Sequence, residues 1–200
     1  MVEPVVESGV RLGAAERRTQ LLAAAQQAFG THGFTATSMN DIAIAANVTK
    51  PVLYQHFDSK HELFLEVLTS TASELNDAIA GVLTEAATGR EKVEQGIALY
   101  VKFFDDNPEN YRVLYGDGVR SEPAFASELR TIESTINGLI ADHIDIDQLD
   151  QDLRLLAAEA ISGLLEAAVG RWLDVGRQQT ADQVASLLAS LVWRGLRGTA

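Results

Sequence analysis

Only four prolines, at positions 4, 51, 108 and 123, interrupt the 200 residues of this chain. No stretch alternates apolar and polar residues in the way a half-buried strand requires. What remains is helical periodicity, and it runs almost from end to end. Leu21, Leu22, Ala25 and Phe29 share one face of a helix expected over 14–30, which the Gly30-to-Gly33 segment stops. Ile42 and Ala43 mark a short helix over 38–45, for which Ser38 and Asp41 form a capping box and Thr37 is a rival cap. Thr49 caps a third helix, with Pro51 in its first turn, where a missing N–H costs least. Ser59 then opens a long fourth helix reaching to about Glu85. Further helices are expected over 91–107, 109–115, 123–143, 150–176 and 180–196. The expected class is all-α, with about nine helices.

Hydrophobic residues make up 46% and charged residues 22% of the chain, which suits one compact unit or two small ones sharing a core. No apolar run approaches the roughly 20 residues that span a bilayer. Residues 1–13 lack the basic end and apolar middle of a signal peptide and read as a disordered leader. There is no cysteine, so disulfides and thiolate chemistry are excluded, and the expected location is cytoplasmic, with no membrane partner.

A net charge of −12 argues, taken whole, against nucleic acid. Its distribution argues otherwise. Residues 1–60 carry five basic and five acidic side chains, so the entire excess of negative charge lies beyond Lys60. Between Arg11 and Lys60 the balance is +2. A basic-to-neutral head over 14–60 is therefore expected to be joined through the long fourth helix to an acidic body over 61–200.

Within the head, the two short helices are separated by Ala46-Asn47-Val48, the spacing of a helix-turn-helix. Asn47 tolerates the left-handed backbone that such a turn needs. The third helix would present Thr49, Lys50, Pro51 and Val52 to solvent, with free N–H groups at its start, as a probe for the major groove. Tyr54, His56 and Lys60 follow within seven residues, and all three can donate to phosphate oxygens. Taken singly, Tyr54 and His56 would be packing groups and Lys60 a solvated charge; downstream of a helix-turn-helix they make a DNA-facing set.

The run TSMNDIAIAANVTKPVLYQHFDSKHELF at 37–64 closely resembles the DNA-binding signature of the tetracycline-repressor (TetR) family. The upstream spacing of Leu21, Leu22, Ala25, Phe29, Gly33 and Phe34 resembles that family's first helix. The likeness covers about residues 14–68. It implies that Ser38, Met39 and Asn40 meet DNA at the start of the second helix, and that Thr49, Lys50, Pro51 and Val52 do so from the recognition helix. It places Tyr54, His56 and Lys60 at phosphate-contacting positions. Asn40 and Lys50 are the expected base readers, since Asn pairs bidentately with adenine and Lys reaches the acceptors of guanine. Asn47 stands where the family usually has glycine. Arg17 and Arg18 are either further phosphate contacts or a solvated face.

The last two helices are apolar over much of their circumference, with Leu164, Ala168, Leu187, Leu188 and Leu191 as candidates for a surface shared between two chains, or else for an ordinary monomer core. The resemblance implies a homodimer formed through these helices, and hence double-stranded DNA with a palindromic operator. It also implies a small-molecule effector of unknown identity, with no other cofactor. Tyr100, Phe103, Phe104, Tyr111, Tyr115, Phe125 and Trp172 are candidates for an effector pocket, or else core packing. Asp117, Glu159 and Glu166 would give such a pocket a negative lining that favours a cationic ligand, or are solvated.

Enzymatic chemistry finds no support. The four histidines form no metal-ligand pair, no Gly-rich phosphate loop occurs, and no serine sits in a nucleophile elbow. No metal site is expected either: Asp142, Asp145, Asp147, Asp150 and Asp152 lack the glycine and terminal glutamate of a calcium loop. The reading is a dimeric, ligand-responsive regulator of transcription, most simply a repressor. The alternatives are an activator, or a helix-turn-helix relic that binds only protein or ligand.

Overall fold

The computed structural model describes residues 13–146 and 149–198, all in helices and their connections. The expected leader, apart from Gly13, lies outside the described residues, as does Asp147. The head comprises α1 (Ala14–His32), α2 (Met39–Ala45) and α3 (Lys50–Tyr54), and α4 (Lys60–Glu85) leads into the body. The body continues as α5 (Gly89–Asp106), α6 (Pro108–Tyr115), α7 (Asp117–Ser121), α8 (Pro123–Asp142), α9 (Gln151–Asp174) and α10 (Ala181–Gly198). The nine expected helices are all present, and the five-residue α7 is additional, too short to show a periodicity of its own.

Side chains close several helix starts. Ser38 and Asp41 form the capping box: Asp41 N donates to Ser38 Oγ (3.2 Å), and Ser38 N donates to Asp41 Oδ2 (2.9 Å). The Ser38 hydroxyl, which donates to the same carboxylate oxygen (2.7 Å), and after it this backbone bond hold the Asp41 carboxyl below its usual range. Thr37, the rival cap, is buried instead, its hydroxyl donating to Gly33 O at 2.8 Å. Ser59, Thr88 and Asp150 cap α4, α5 and α9 in the same manner. Thr49 precedes α3 but makes no capping bond through its side chain.

One apolar core runs through head and body. Phe29, Phe34, Phe64 and Phe125 stack across the junction with ring centroids 4.7–5.1 Å apart along the contacts Phe29–Phe64, Phe34–Phe64, Phe34–Phe125 and Phe64–Phe125. Two glycines permit the close approach. A Cβ on Gly30 would lie 2.3 Å from Glu109 Cβ, and one on Gly118 would lie 2.6 Å from Phe34 Cβ. Polar contacts tighten the joint: Gln26 Nε2 donates to Asn110 Oδ1 (2.7 Å), and Arg112 donates to Thr31 O. Within the body, α10 lies on α5 and α8 lies on both α4 and α9. No described helix is long and apolar enough to cross a membrane.

Candidate nucleic-acid interface and effector cavity

The turn between α2 and α3 closes as its residue types require. Asn47 adopts φ 52°, the left-handed region that its short amide side chain tolerates. Val48 N donates to Ala43 O (2.9 Å), which seats α3 across α2. Leu53 and Phe57 point into the core, at 0% and 1% exposure. The opposite side of α3 is left outward, exposing Thr49, Lys50, Pro51 and Tyr54, with Val52 half-buried. Lys50 Nζ lies 5.8 Å from the Tyr54 ring centroid, so one cation and one aromatic hydroxyl share this face. Ser38 and Asn40 are exposed beside them at the start of α2, and His56 is half-buried behind α3.

Three residues expected near DNA are used differently. Met39 is buried at 5% exposure, because the phase of α2 that exposes Ser38 and Asn40 turns Met39 inward with Ile42 and Ala43. Lys60 Nζ donates to Phe34 O (2.9 Å) and Thr37 O (3.0 Å) and lies 4.4 Å from the Phe34 ring centroid. It fastens the α1–α2 connection and retains one hydrogen for any other acceptor. Arg18 pairs with Glu66, donates to His56 O (2.7 Å) and stacks 4.3 Å from the Phe57 ring. Its guanidinium is a brace between α1 and α4, while Arg17 bonds only Gln20.

In the body, the structure forms two adjoining, partly open chambers. The first, of about 400 Å³, is walled by α4, α5, α8, α9 and α10. Its surface is mainly aliphatic, including Ile79, Val93, Ile97, Ile144, Leu165 and Val192, while Lys92, Asp145 and Arg197 supply its charges and His143 adds an imidazole. It extends along α5 from Gly89 to Tyr100, roughly 17 Å at 1.5 Å per residue. The second, of about 490 Å³, is also walled mainly by apolar surface but carries more polar side chains, with Asn76, Arg130, Glu133, Asn137, Glu159, Ser162 and Glu166 in its lining. Burial, reinforced by the charge of Glu166, raises the Glu133 carboxyl to about 6. A third cavity, of about 740 Å³, lies between head and body, with Phe34, Tyr111, Tyr115 and Asp117 in its wall.

Of the aromatic candidates, Tyr100 lines the first two chambers, Tyr115 the second and third, and Tyr111 the third. Phe104 and Phe125 are core residues at 0% and 2% exposure, and Phe103 stacks on Phe104. Trp172 is also core, its indole N–H closing on Gln179 O at 3.0 Å. These four rings line none of the three cavities, because ring stacking and core burial use their surfaces. Glu159 and Glu166 do face the second chamber, while Asp117 belongs to the third cavity. The aliphatic walls were missed because an apolar residue lining a cavity has the same helical spacing as one filling a core. Gly96 was the available signal: it lines the first chamber, and a Cβ there would meet nothing within 4 Å.

On the outer surface, Leu164, Leu187 and Leu191 are exposed by 38%, 61% and 52%, and Leu153 and Leu156 by 45% and 60%. Ala168 is half-buried. Leu188 is 4% exposed, since it sits on the face of α10 turned toward the body core, so it is not part of the outward row.

Comparison with known proteins agrees with this geometry. The family described as "Bacterial regulatory proteins, tetR family" matches residues 21–67, and "Tetracyclin repressor-like, C-terminal domain" matches residues 90–195. The HTH-type transcriptional activator FasR of Mycolicibacterium smegmatis is 29% identical over 94% of this chain and 86% of its own length. The HTH-type transcriptional repressor KstR2 of Rhodococcus jostii is 28% identical over 92% of this chain and 93% of its own. A crystal structure of a TetR-like regulator from Rhodococcus sp. RHA1 superposes with a TM-score of 0.79, at 30% identity, covering 94% of this chain and all of that one. The helix-turn-helix face, the hollow helical body and these similarities along nearly the whole chain have one reading: this protein is a DNA-binding transcriptional regulator of the TetR family.

Proposed function

We propose that the chain acts as a homodimeric repressor that leaves a palindromic operator when an elongated amphiphile with an anionic head enters the first chamber. The observation that carries this reading is the chamber itself. It offers an aliphatic wall over roughly 17 Å along α5, within the volume range of small-molecule sites. Lys92 sits in the first turns of α5 and Arg197 near the end of α10. Both line the chamber, in a body with an excess of negative charge, and they suit an anionic head rather than the cationic ligand that Glu159 and Glu166 alone would suggest.

DNA contact is assigned to Ser38, Asn40, Thr49, Lys50, Pro51, Val52, Tyr54 and His56, with Asn40 and Lys50 reading bases. Dimerisation is assigned to Leu164, Ala168, Leu187 and Leu191, extended by Leu153 and Leu156, since this exposed leucine row is the apolar surface that a two-fold partner would cover. An effector shifts DNA binding only if it binds the two arrangements of the heads unequally, which the continuous core from chamber to head allows.

The test has two stages. Sequences retained from a random DNA pool should be palindromic, and Lys50→Ala should change which sequences are kept as well as their affinity. Long-chain fatty acids should then release the selected DNA, and Leu187→Asp with Leu191→Asp should yield monomers in sedimentation. Failure of any chain to bind the protein would refute the effector assignment, and an unchanged native mass would refute the interface. Activation is the second reading, favoured by the similarity to the activator FasR. An operator footprint upstream of the promoter, with transcription stimulated in vitro, would select it.

A further inference from the structure

We infer that Tyr100, backed by Tyr115 on its far side, forms a movable partition, so that chains ending short of it bind silently and only chains long enough to part the two tyrosines release DNA. The inference rests on the effector reading above. The first and second chambers share Ile79, Tyr100, Ile140, Ile161 and Leu165, so the wall between them is one side chain thick. Tyr100 is the one member of that wall with a polar end. Its hydroxyl lies 3.4 Å from that of Tyr115, beyond the usual 2.5–3.0 Å of an O–H···O hydrogen bond, so little is lost when the pair separates.

Tyr100 is 5% exposed, with its ring edge-on to Phe104. It can turn into the second chamber, where Glu133 and the hydrogen-bonded pair Ser162–Asn137 (2.7 Å) supply alternative partners. The polar groups in that wall then have a use, since they receive a displaced phenol where a wholly apolar space would reject it. Tyr115 also stands in the wall of the third cavity, which Phe34, Thr35 and Ala36 of the α1–α2 connection complete. Movement of the pair is therefore delivered next to the segment that carries Ser38 and Asn40. A chain that occupies only the space along Gly89 to Ile97 leaves both tyrosines where they are. One that extends past Ile97 meets the Tyr100 ring and displaces it.

The experiment titrates the full-length protein, on its selected operator, with straight-chain carboxylates from hexanoate to stearate, each below its aggregation concentration. Calorimetry reads binding, and fluorescence anisotropy of labelled DNA reads release. Wild type should bind chains of intermediate length without release and should release DNA only above a threshold length. Tyr100→Ala should bind the longest chains at least tenfold more tightly than wild type, yet fail to release DNA. Should that variant fail to fold, Tyr115→Phe decides the matter: it removes only the hydroxyl pair and should lower the stearate concentration needed for release about threefold, the size expected for one weak hydrogen bond. Binding and release that rise together with length, without a threshold, would overturn the partition while leaving the effector site intact. So would length profiles identical in wild type and Tyr115→Phe. If no chain binds wild type, the effector reading falls and the partition falls with it.

Discussion

The head and the body of this regulator use similar apolar residues to opposite ends. In the head, Leu21, Ala25, Phe29, Ile42, Leu53 and Phe57 are at most 1% exposed, and no residue of that region lines either body chamber. In the body, aliphatic side chains at the same helical spacing surround space instead of each other. The contrast separates two tasks. A surface that reads base edges must hold its side chains in one geometry, which close packing provides. A site that answers a ligand needs a second arrangement within reach, and a cavity supplies it because its lining lacks some of the contacts that fix a filled core.

The most direct way to break this contrast is to truncate one residue on each side. Ile42→Ala in the head should cost about 2–5 kcal/mol, the range for deleting several methyl groups from a filled core. Val93→Ala in the chamber wall should cost less than about 1 kcal/mol, since its removal enlarges an existing space. Urea unfolding of the two variants measures both, and equal costs would show that the body is as tightly filled as the head.

A second comparison concerns cations. Four of the head's basic residues lie among the described residues, and only Lys50 is exposed without an internal hydrogen-bond partner, because Arg17 bonds Gln20, Arg18 pairs with Glu66, and Lys60 holds Phe34 O and Thr37 O. Few charges are left to meet phosphates, and the body adds only repulsion. Affinity for random DNA should be low, with a shallow dependence on salt. Lys60→Met should destabilise the head by about 1–2 kcal/mol through its two unpaired carbonyls, while the slope of log affinity against log salt stays unchanged. A slope reduced by about one would restore Lys60 as a phosphate contact.

The smallest expected effect lies in the second chamber. Glu133 is raised from an ordinary 4.5 to about 6 in the folded protein. A carboxyl raised on folding opposes folding once it ionises, so its penalty is absent below pH 4.5, grows between 4.5 and 6, and is complete above. After allowance for its partial exposure to solvent, Glu133→Gln should stabilise the protein by about 1 kcal/mol at pH 7 and by nothing at pH 4. Thermal unfolding at the two pH values checks the sign.

Much of the head was legible in the sequence because its determinants are local. The Ser38–Asp41 capping box, the left-handed Asn47 and Pro51 in the first turn of α3 each act within a few residues. What could not be read there depends on partners distant in the chain. Lys60 meets carbonyls 26 and 23 residues away, and Arg18 meets Glu66 across 48. On α10, Leu187, Leu188 and Leu191 look alike until α5 is seen to cover Leu188. In the body, aromatic residues drew attention, yet Phe103, Phe104, Phe125 and Trp172 are packed core and aliphatic residues make the cavity. Apolar spacing reports which side of a helix faces inward, and it carries no information on whether the inside is full.

The central claim is that occupancy of the hollow body moves the packed heads. Because the chain has no cysteine, Gln27→Cys on the exposed side of α1 gives one spin-label site per chain and hence one distance in the proposed dimer. Measured by double electron–electron resonance, that distance should shift when stearate is added and stay fixed when hexanoate is added. The result that would contradict the account is stearate releasing the operator while the distance between the two heads stays the same.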